Sequence, residues 1–182
     1  MMTFGTIGAF GFDDFHPPEV IGLYAQAGCT VVQAYRNRDK NITAKEMSTI
    51  CRDLGVRIDS LHAHFGDDLD PSSEDERVHR LHQRLADPLR KAAVDLYYRE
   101  AEFCLDLGGD LAVVHPSPPK VPVGNLEKRY SQLQRSFEEL AEIGQRIQVR
   151  FAFENMPAYH PVGGDVKRLV DEVARCGSEH VV

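Results

Sequence analysis

Three apolar runs in this chain stop on a side chain that can bind metal. Ile58-Asp59-Ser60-Leu61-His62 and Leu111-Ala112-Val113-Val114-His115 end in histidine. Phe151-Ala152-Phe153-Glu154 ends in glutamate, just before Asn155-Met156-Pro157. Each run follows a helical pattern and precedes a loop containing proline or glycine. Short apolar runs alternating with helical stretches make βα units, and these give a parallel sheet. The C-terminal ends of such strands are where a parallel α/β barrel keeps its active site.

The alternation holds along the whole chain. Strands are expected at Thr3–Phe10, Thr30–Tyr35, Val56–His62, Leu111–His115 and Val149–Glu154. The first helix should start at Pro17-Pro18, carry Val20, Ile21, Leu23, Tyr24 and Ala27 inward, and end at Gly28. The second opens with a capping box, Thr43 and Glu46, and runs to Gly55 with Met47, Ile50, Cys51 and Leu54 as its stripe. After the loop Gly66–Pro71 the pattern predicts two helices, one capped by Ser73 and Glu76, the next restarting at Asp87-Pro88 and stopping at Gly108-Gly109. A further helix is expected from Asn125 to about Gln148, and a last one from Asp165 to Gly177 with Val166, Leu169, Val170 and Val173 inside. Glu179–Val182 reads as the opening of a sixth strand. The expected fold is therefore α/β, a parallel (β/α) barrel left incomplete after about five units, in one partial domain over residues 1–182. A doubly wound open sheet usually carries a glycine-rich phosphate loop after its first strand. Here that stretch is Gly5-Thr6-Ile7-Gly8-Ala9-Phe10-Gly11, which does not match GxGxxG.

Composition narrows the partners. The 182 residues carry a formal charge of −7, which argues against broad contact with nucleic acid or an anionic membrane. Cys29, Cys51, Cys104 and Cys176 are widely spaced with no CxxC pair, so they read as reduced thiols of a cytoplasmic protein and not as a zinc site. Met1–Gly5 has no signal-peptide pattern, and no apolar run nears the roughly 20 residues that span a bilayer.

Among side chains that could do chemistry, Glu154 stands first, because a carboxylate after Phe151-Ala152-Phe153 is costly to bury without a metal or a donor. His62 and His115 complete a set of nitrogen and oxygen ligands suited to Zn²⁺, Mn²⁺, Co²⁺ or Fe²⁺. His64, two residues after His62, would share its face if the strand extends that far. Arg36 and Arg38 follow the second strand, where either could hold a substrate phosphate or carboxylate. Lys120 carries a weaker version of the same signal. Asn155 could orient Glu154 or bind a hydroxyl; His160, in the same loop, could bind substrate or equally be loop surface. His79 and His82 sit among Glu74, Asp75, Glu76, Arg77, Arg80 and Arg84 and read as a solvated helix face.

Ser60-Leu61-His62-Ala63, Val113-Val114-His115-Pro116 and Phe153-Glu154-Asn155-Met156-Pro157 resemble the xylose-isomerase-like TIM-barrel superfamily. That group holds sugar and sugar-phosphate isomerases and epimerases, hydroxypyruvate isomerases, inosose dehydratases and an apurinic endonuclease branch. The resemblance implies a divalent metal (Mn²⁺, Mg²⁺, Co²⁺ or Zn²⁺) and a small sugar or sugar phosphate as substrate. It makes Glu154 both a ligand and a proton-transfer base. His115 and His62 become ligands or pocket walls; His64 matches no ligand of the family. The implied reaction is proton abstraction next to a carbonyl through an enediolate. The family's later ligands, from its sixth to eighth strands, have no counterpart before Val182, so the chain is expected to be a fragment with an incomplete site. Two other readings follow from the same residues: an apurinic-site endonuclease, and a non-catalytic half-barrel that assembles as a homo-oligomer or with a partner.

Overall fold

A computed structural model describes residues 5–66, 69–73, 88–119 and 124–182. Five strands and five helices lie among them: β1 Gly5–Phe10, α1 Pro17–Gln26, β2 Val31–Arg36, α2 Ala44–Asp53, β3 Arg57–His62, α3 Pro88–Leu107, β4 Leu111–Val114, α4 Leu126–Ile147, β5 Arg150–Phe153 and α5 Val166–Cys176. The strands form one sheet in the order β1-β2-β3-β4-β5, with β1–β2 and β2–β3 parallel. Neighbours in sequence are neighbours in the sheet, as successive right-handed βα units dictate. The expected sixth strand begins to form, since Val181 makes a parallel bridge to Phe151. Asp87, the first of the two helices expected between β3 and β4, His79, His82 and Lys120 lie outside the described residues.

The helix ends follow the local chemistry. Thr43 and Glu46 form the reciprocal capping box, and Asn125 and Asp165 each accept the amide three residues on. Gly177 takes the left-handed conformation that ends α5. The residue after α4, Gln148, is left-handed at φ 62° without being glycine, so no residue type in the sequence marks that stop.

The chain divides into two compact units, Met1–His64 with Glu100–Ala112, and Phe65–Arg99 with Val113–Val182. The first has an apolar core. Phe10, Val32, Ala34, Ile58 and Leu61 from the strands meet Ile21, Met47, Cys51, Cys104 and Leu107 from the helices. Burial pushes the Cys51 and Cys104 thiols up to about 11, which keeps them protonated.

The second unit mixes apolar and polar interior. Phe153 packs on Phe137 of α4 with ring centroids 4.4 Å apart, beside Leu133 and Leu140. Around this lies a buried polar lattice. Arg129 bonds Asp70 at 2.6 Å and Ser72 at 2.7 Å, while Ser72 donates its hydroxyl to Asp70 at 2.7 Å. Arg90, fully buried, reaches Glu139 at 2.9 Å and Ser136 at 3.3 Å, and Ser136 donates to the Pro71 carbonyl at 2.6 Å. α5 keeps Leu169 inside and Val173 half-buried, as expected, but not Val166 and Val170. Leu169 and Glu172 are buried, and Val166 and Val170 are exposed. Glu172 is tolerated inside because Arg175 and Gln134 each bond its carboxylate at 2.8 Å.

The Asp70–Arg129 pair carries a clear energetic signature. Arg129→Ala is expected to cost about 3–5 kcal/mol, because it strands a buried carboxylate. Replacing both partners by apolar residues (Asp70→Leu with Arg129→Met) should cost less than the single change. Urea unfolding of the three proteins checks the order.

Candidate functional site

In the first unit the decisive local feature is a bulge in β3. Val32 lies opposite Ile58, yet Gln33 lies opposite Ser60 and Ala34 opposite Leu61. Asp59 is the extra residue. Side chains on a strand alternate faces, and one inserted residue inverts the alternation beyond it. Ile58 and Leu61 therefore both enter the core although they are three residues apart. Without the bulge His62 would share the helix-packed face of Ile58. With it, His62 falls on the opposite face, where its ring meets Tyr35 edge-on at 5.6 Å. The bulge is bonded from β4's approach, because Asp110 donates to the Asp59 carbonyl at 3.3 Å. Gly109 is required there: a Cβ would sit 2.8 Å from the Asp59 backbone.

The His62 ring is oriented by its Nδ1, which lies 2.8 Å from the Ala63 carbonyl. Donating there leaves Nε2 as the lone-pair nitrogen of the neutral ring. β3 ends at His62, so strand alternation does not extend to His64. Tyr35 stacks on Phe12 at 5.3 Å, and burial, with the Glu100 charge, pushes its hydroxyl up. Arg36 is engaged internally: its guanidinium bonds Glu100 at 2.7 Å and lies 4.2 Å over the Phe103 ring. Arg38 is exposed.

Burial alternates along β4 and β5. Ala112 and Val114 are buried and Val113 is half-buried; Phe151 and Phe153 are buried and Ala152 is half-buried. His115 and Glu154 thus both leave the helix-packed faces of their strands. The Glu154 amide donates to the Val114 carbonyl at 3.0 Å, which sets the register between the two ends. His115 Nε2 then lies 3.0 Å from Glu154 Oε2. The imidazole is 11% exposed and stacks on Phe65 at 4.4 Å. The carboxylate is 44% exposed, so the cost of burying it, expected from its apolar neighbours, does not arise. Asn155 is exposed beside it.

His160 sits differently from an exposed loop residue. It is 6% exposed, hydrogen-bonded to the Ser117 backbone, and its buried Nδ1 has no hydrogen-bond partner among the described residues. The loop around it is closed by Ser117 donating to Val162 at 3.0 Å and by the Gly163 amide donating to the Tyr130 hydroxyl at 3.4 Å. His160 therefore joins the loop after β5 to the loop after β4.

A parallel βα sheet with an imidazole and a carboxylate paired at adjacent strand ends is the setting in which the sequence comparison is decisive. Residues 21–182 match the family described as xylose isomerase-like TIM barrel. The chain belongs to this family. Solved structures with the same fold include an L-ribulose 3-epimerase, with a TM-score of 0.76, 14% identity, and coverage of 100% of this chain and 59% of that one. A D-psicose 3-epimerase from Clostridium cellulolyticum H10 gives 0.74 and 15%, covering 99% and 62%. An AP endonuclease, family 2, from Brucella melitensis gives 0.67 and 13%, covering 98% and 67%. The chain thus spans about three-fifths of the length of the two epimerases. No curated protein matches it. No helix among the described residues is long and apolar enough to cross a membrane.

Tyr35, Phe65 and Tyr97 were not singled out as site residues, because each meets a histidine distant from it in the sequence: Tyr35 meets His62, Phe65 meets His115, and Tyr97 meets the His115 carbonyl. Burial lowers the pKa of His160, and its bond to Ser117 opposes that only in part. Below its ordinary value of 6.5 the unfolded chain takes up a proton that the folded chain resists, so stability falls as pH drops. The thermal midpoint should therefore fall more in the wild type than in His160→Gln between about pH 7.5 and pH 5.5. Parallel slopes would remove His160 from this role.

Proposed function

We propose that this chain supplies part of the active site of a divalent-metal-dependent sugar or sugar-phosphate isomerase or epimerase. The observation that carries the reading is the 3.0 Å pairing of His115 with Glu154 at adjacent strand ends, in a chain of this family. His62, His115 and Glu154 would hold the ion: two imidazole nitrogens and a carboxylate oxygen suit Mn²⁺, Co²⁺ or Zn²⁺. When bound, the ion supplies Lewis-acid stabilisation of charge on adjacent sugar oxygens. Glu154 takes the proton from the carbon next to the carbonyl and returns it. Its exposure gives it access to substrate, and the neighbouring imidazole fixes its direction. His115, stacked on Phe65, is restrained from rotating away. Asn155 is exposed next to the base and available to a sugar hydroxyl. Arg36 is a weaker candidate for a substrate anion, since Glu100 already neutralises it. The net charge of −7 weighs against the endonuclease reading.

Solvent-deuterium exchange into a ketohexose, followed by NMR, tests the chemistry. In the complete active site, to which this chain contributes its part, the proton next to the carbonyl should exchange in the presence of Mn²⁺ or Co²⁺, and Glu154→Gln should slow this by at least ~10²-fold. A calorimetric titration should show metal binding lost in His115→Ala. A chain that neither binds the ion nor catalyses exchange, but nicks abasic DNA, overturns the reading.

A further inference from the structure

We infer that Tyr97 is a positioning residue for His115, acting through the His115 backbone carbonyl. Tyr97 lies on α3, is fully buried, and its hydroxyl donates to that carbonyl at 2.9 Å. The preceding carbonyl, Val114, is taken by the Glu154 amide. Successive carbonyls of a strand point to opposite sides, so His115 turns its own away from β5. That carbonyl lies just past the last residue of β4, and a buried carbonyl requires a donor. Tyr97 is that donor.

The bond acts on the side chain because the backbone at this point has little slack. Pro116 restricts His115 to extended conformations and contributes no amide hydrogen. Two bonds then fix the two peptide planes on either side of the His115 Cα: Glu154 to Val114, and Tyr97 to His115. With the Cα–Cβ direction set, Phe65 stacking selects the ring position, and Nε2 arrives 3.0 Å from Glu154. The hydroxyl is secure as a donor, since burial and the negative Asp70 nearby both hold it protonated. Asp70 is itself tied to Arg129 on α4.

The importance of His115 rests on the function proposed above; the positioning itself does not. The first measurement is therefore metal-free: the NMR cross-relaxation between the His115 and Phe65 rings. The wild type should show it, Tyr97→Phe should lose or broaden it while remaining folded by circular dichroism, and 4-aminophenylalanine at position 97, which restores a donor, should recover it. Should Tyr97→Phe not fold, 4-fluorophenylalanine fills the hydroxyl's place without donating and carries the same comparison. An unchanged ring contact in the folded variant overturns the inference. The second measurement is Co²⁺ affinity, which Tyr97→Phe should weaken about tenfold, whereas a purely structural tyrosine would lower the thermal midpoint and leave the affinity unmoved. A wild type that binds no Co²⁺ overturns the metal reading and leaves the ring contact to decide the role of Tyr97.

Discussion

The direction of each strand-end side chain depends on the two-residue period of the β-strand. β4 and β5 obey it without interruption: every second residue enters the core, and His115 and Glu154 fall out of step with the buried ones. β3 obeys it only because Asp59 is inserted. Ile58 and Leu61 are both core residues, an arrangement that an unbroken strand forbids. The bulge reconciles them and, as a consequence, rotates His62 off the helix-packed face. The inserted peptide has to be accommodated, and it is: Asp110 bonds its carbonyl and Gly109 leaves room for it. A side chain at 109 would press on the bulge, and the bulge is what turns His62 toward Tyr35.

The two units stabilise their interiors by different means. The first relies on apolar burial, with Arg36 and Glu100 as a single ion pair beside Phe103. The second carries Asp70, Ser72, Arg90, Arg129 and Ser136 inside. Buried ion pairs contribute little net stability once desolvation is counted, and apolar replacements are often as stable. Their geometric content is larger. Arg129 grips both Asp70 and Ser72, and Ser136 grips the Pro71 carbonyl between them. Three successive residues of the loop are thereby fixed to one helix, α4, which an apolar contact of the same area would not do. Tyr97, whose hydroxyl holds the His115 carbonyl, is raised in pKa by burial and by the Asp70 charge.

Much of the element order was legible because it rests on local signals. The Thr43 capping box, the Asn125 and Asp165 caps and the Gly177 stop are read from a few adjacent residues and recur in the structure. The sites of failure share a different cause. α5 shows Val166 and Val170 to solvent and buries Glu172 against Arg175 and Gln134, and no window of sequence contains Gln134 and Glu172 together. The engagement of Arg36 with Glu100 spans 64 residues. His160 looked like loop surface until Ser117 and Val162 closed over it. The Asp59 bulge was readable in principle, since Ile58 and Leu61 break the two-residue period in a run that is otherwise a strand.

The exposure of Glu154 bears on what kind of site this is. A structural metal centre contributes folding energy and is buried among its ligands. Here the carboxylate remains solvated, and the hydrophobic contact beneath it, Phe153 on Phe137, is complete without any ion. The His115 ring is likewise held by Phe65 and, through its backbone, by Tyr97. The positions of these two side chains are therefore set by the protein's own packing and hydrogen bonds. The proposed proton transfer requires an accessible carboxylate beside a well-held imidazole, and Glu154 and His115 have those two properties.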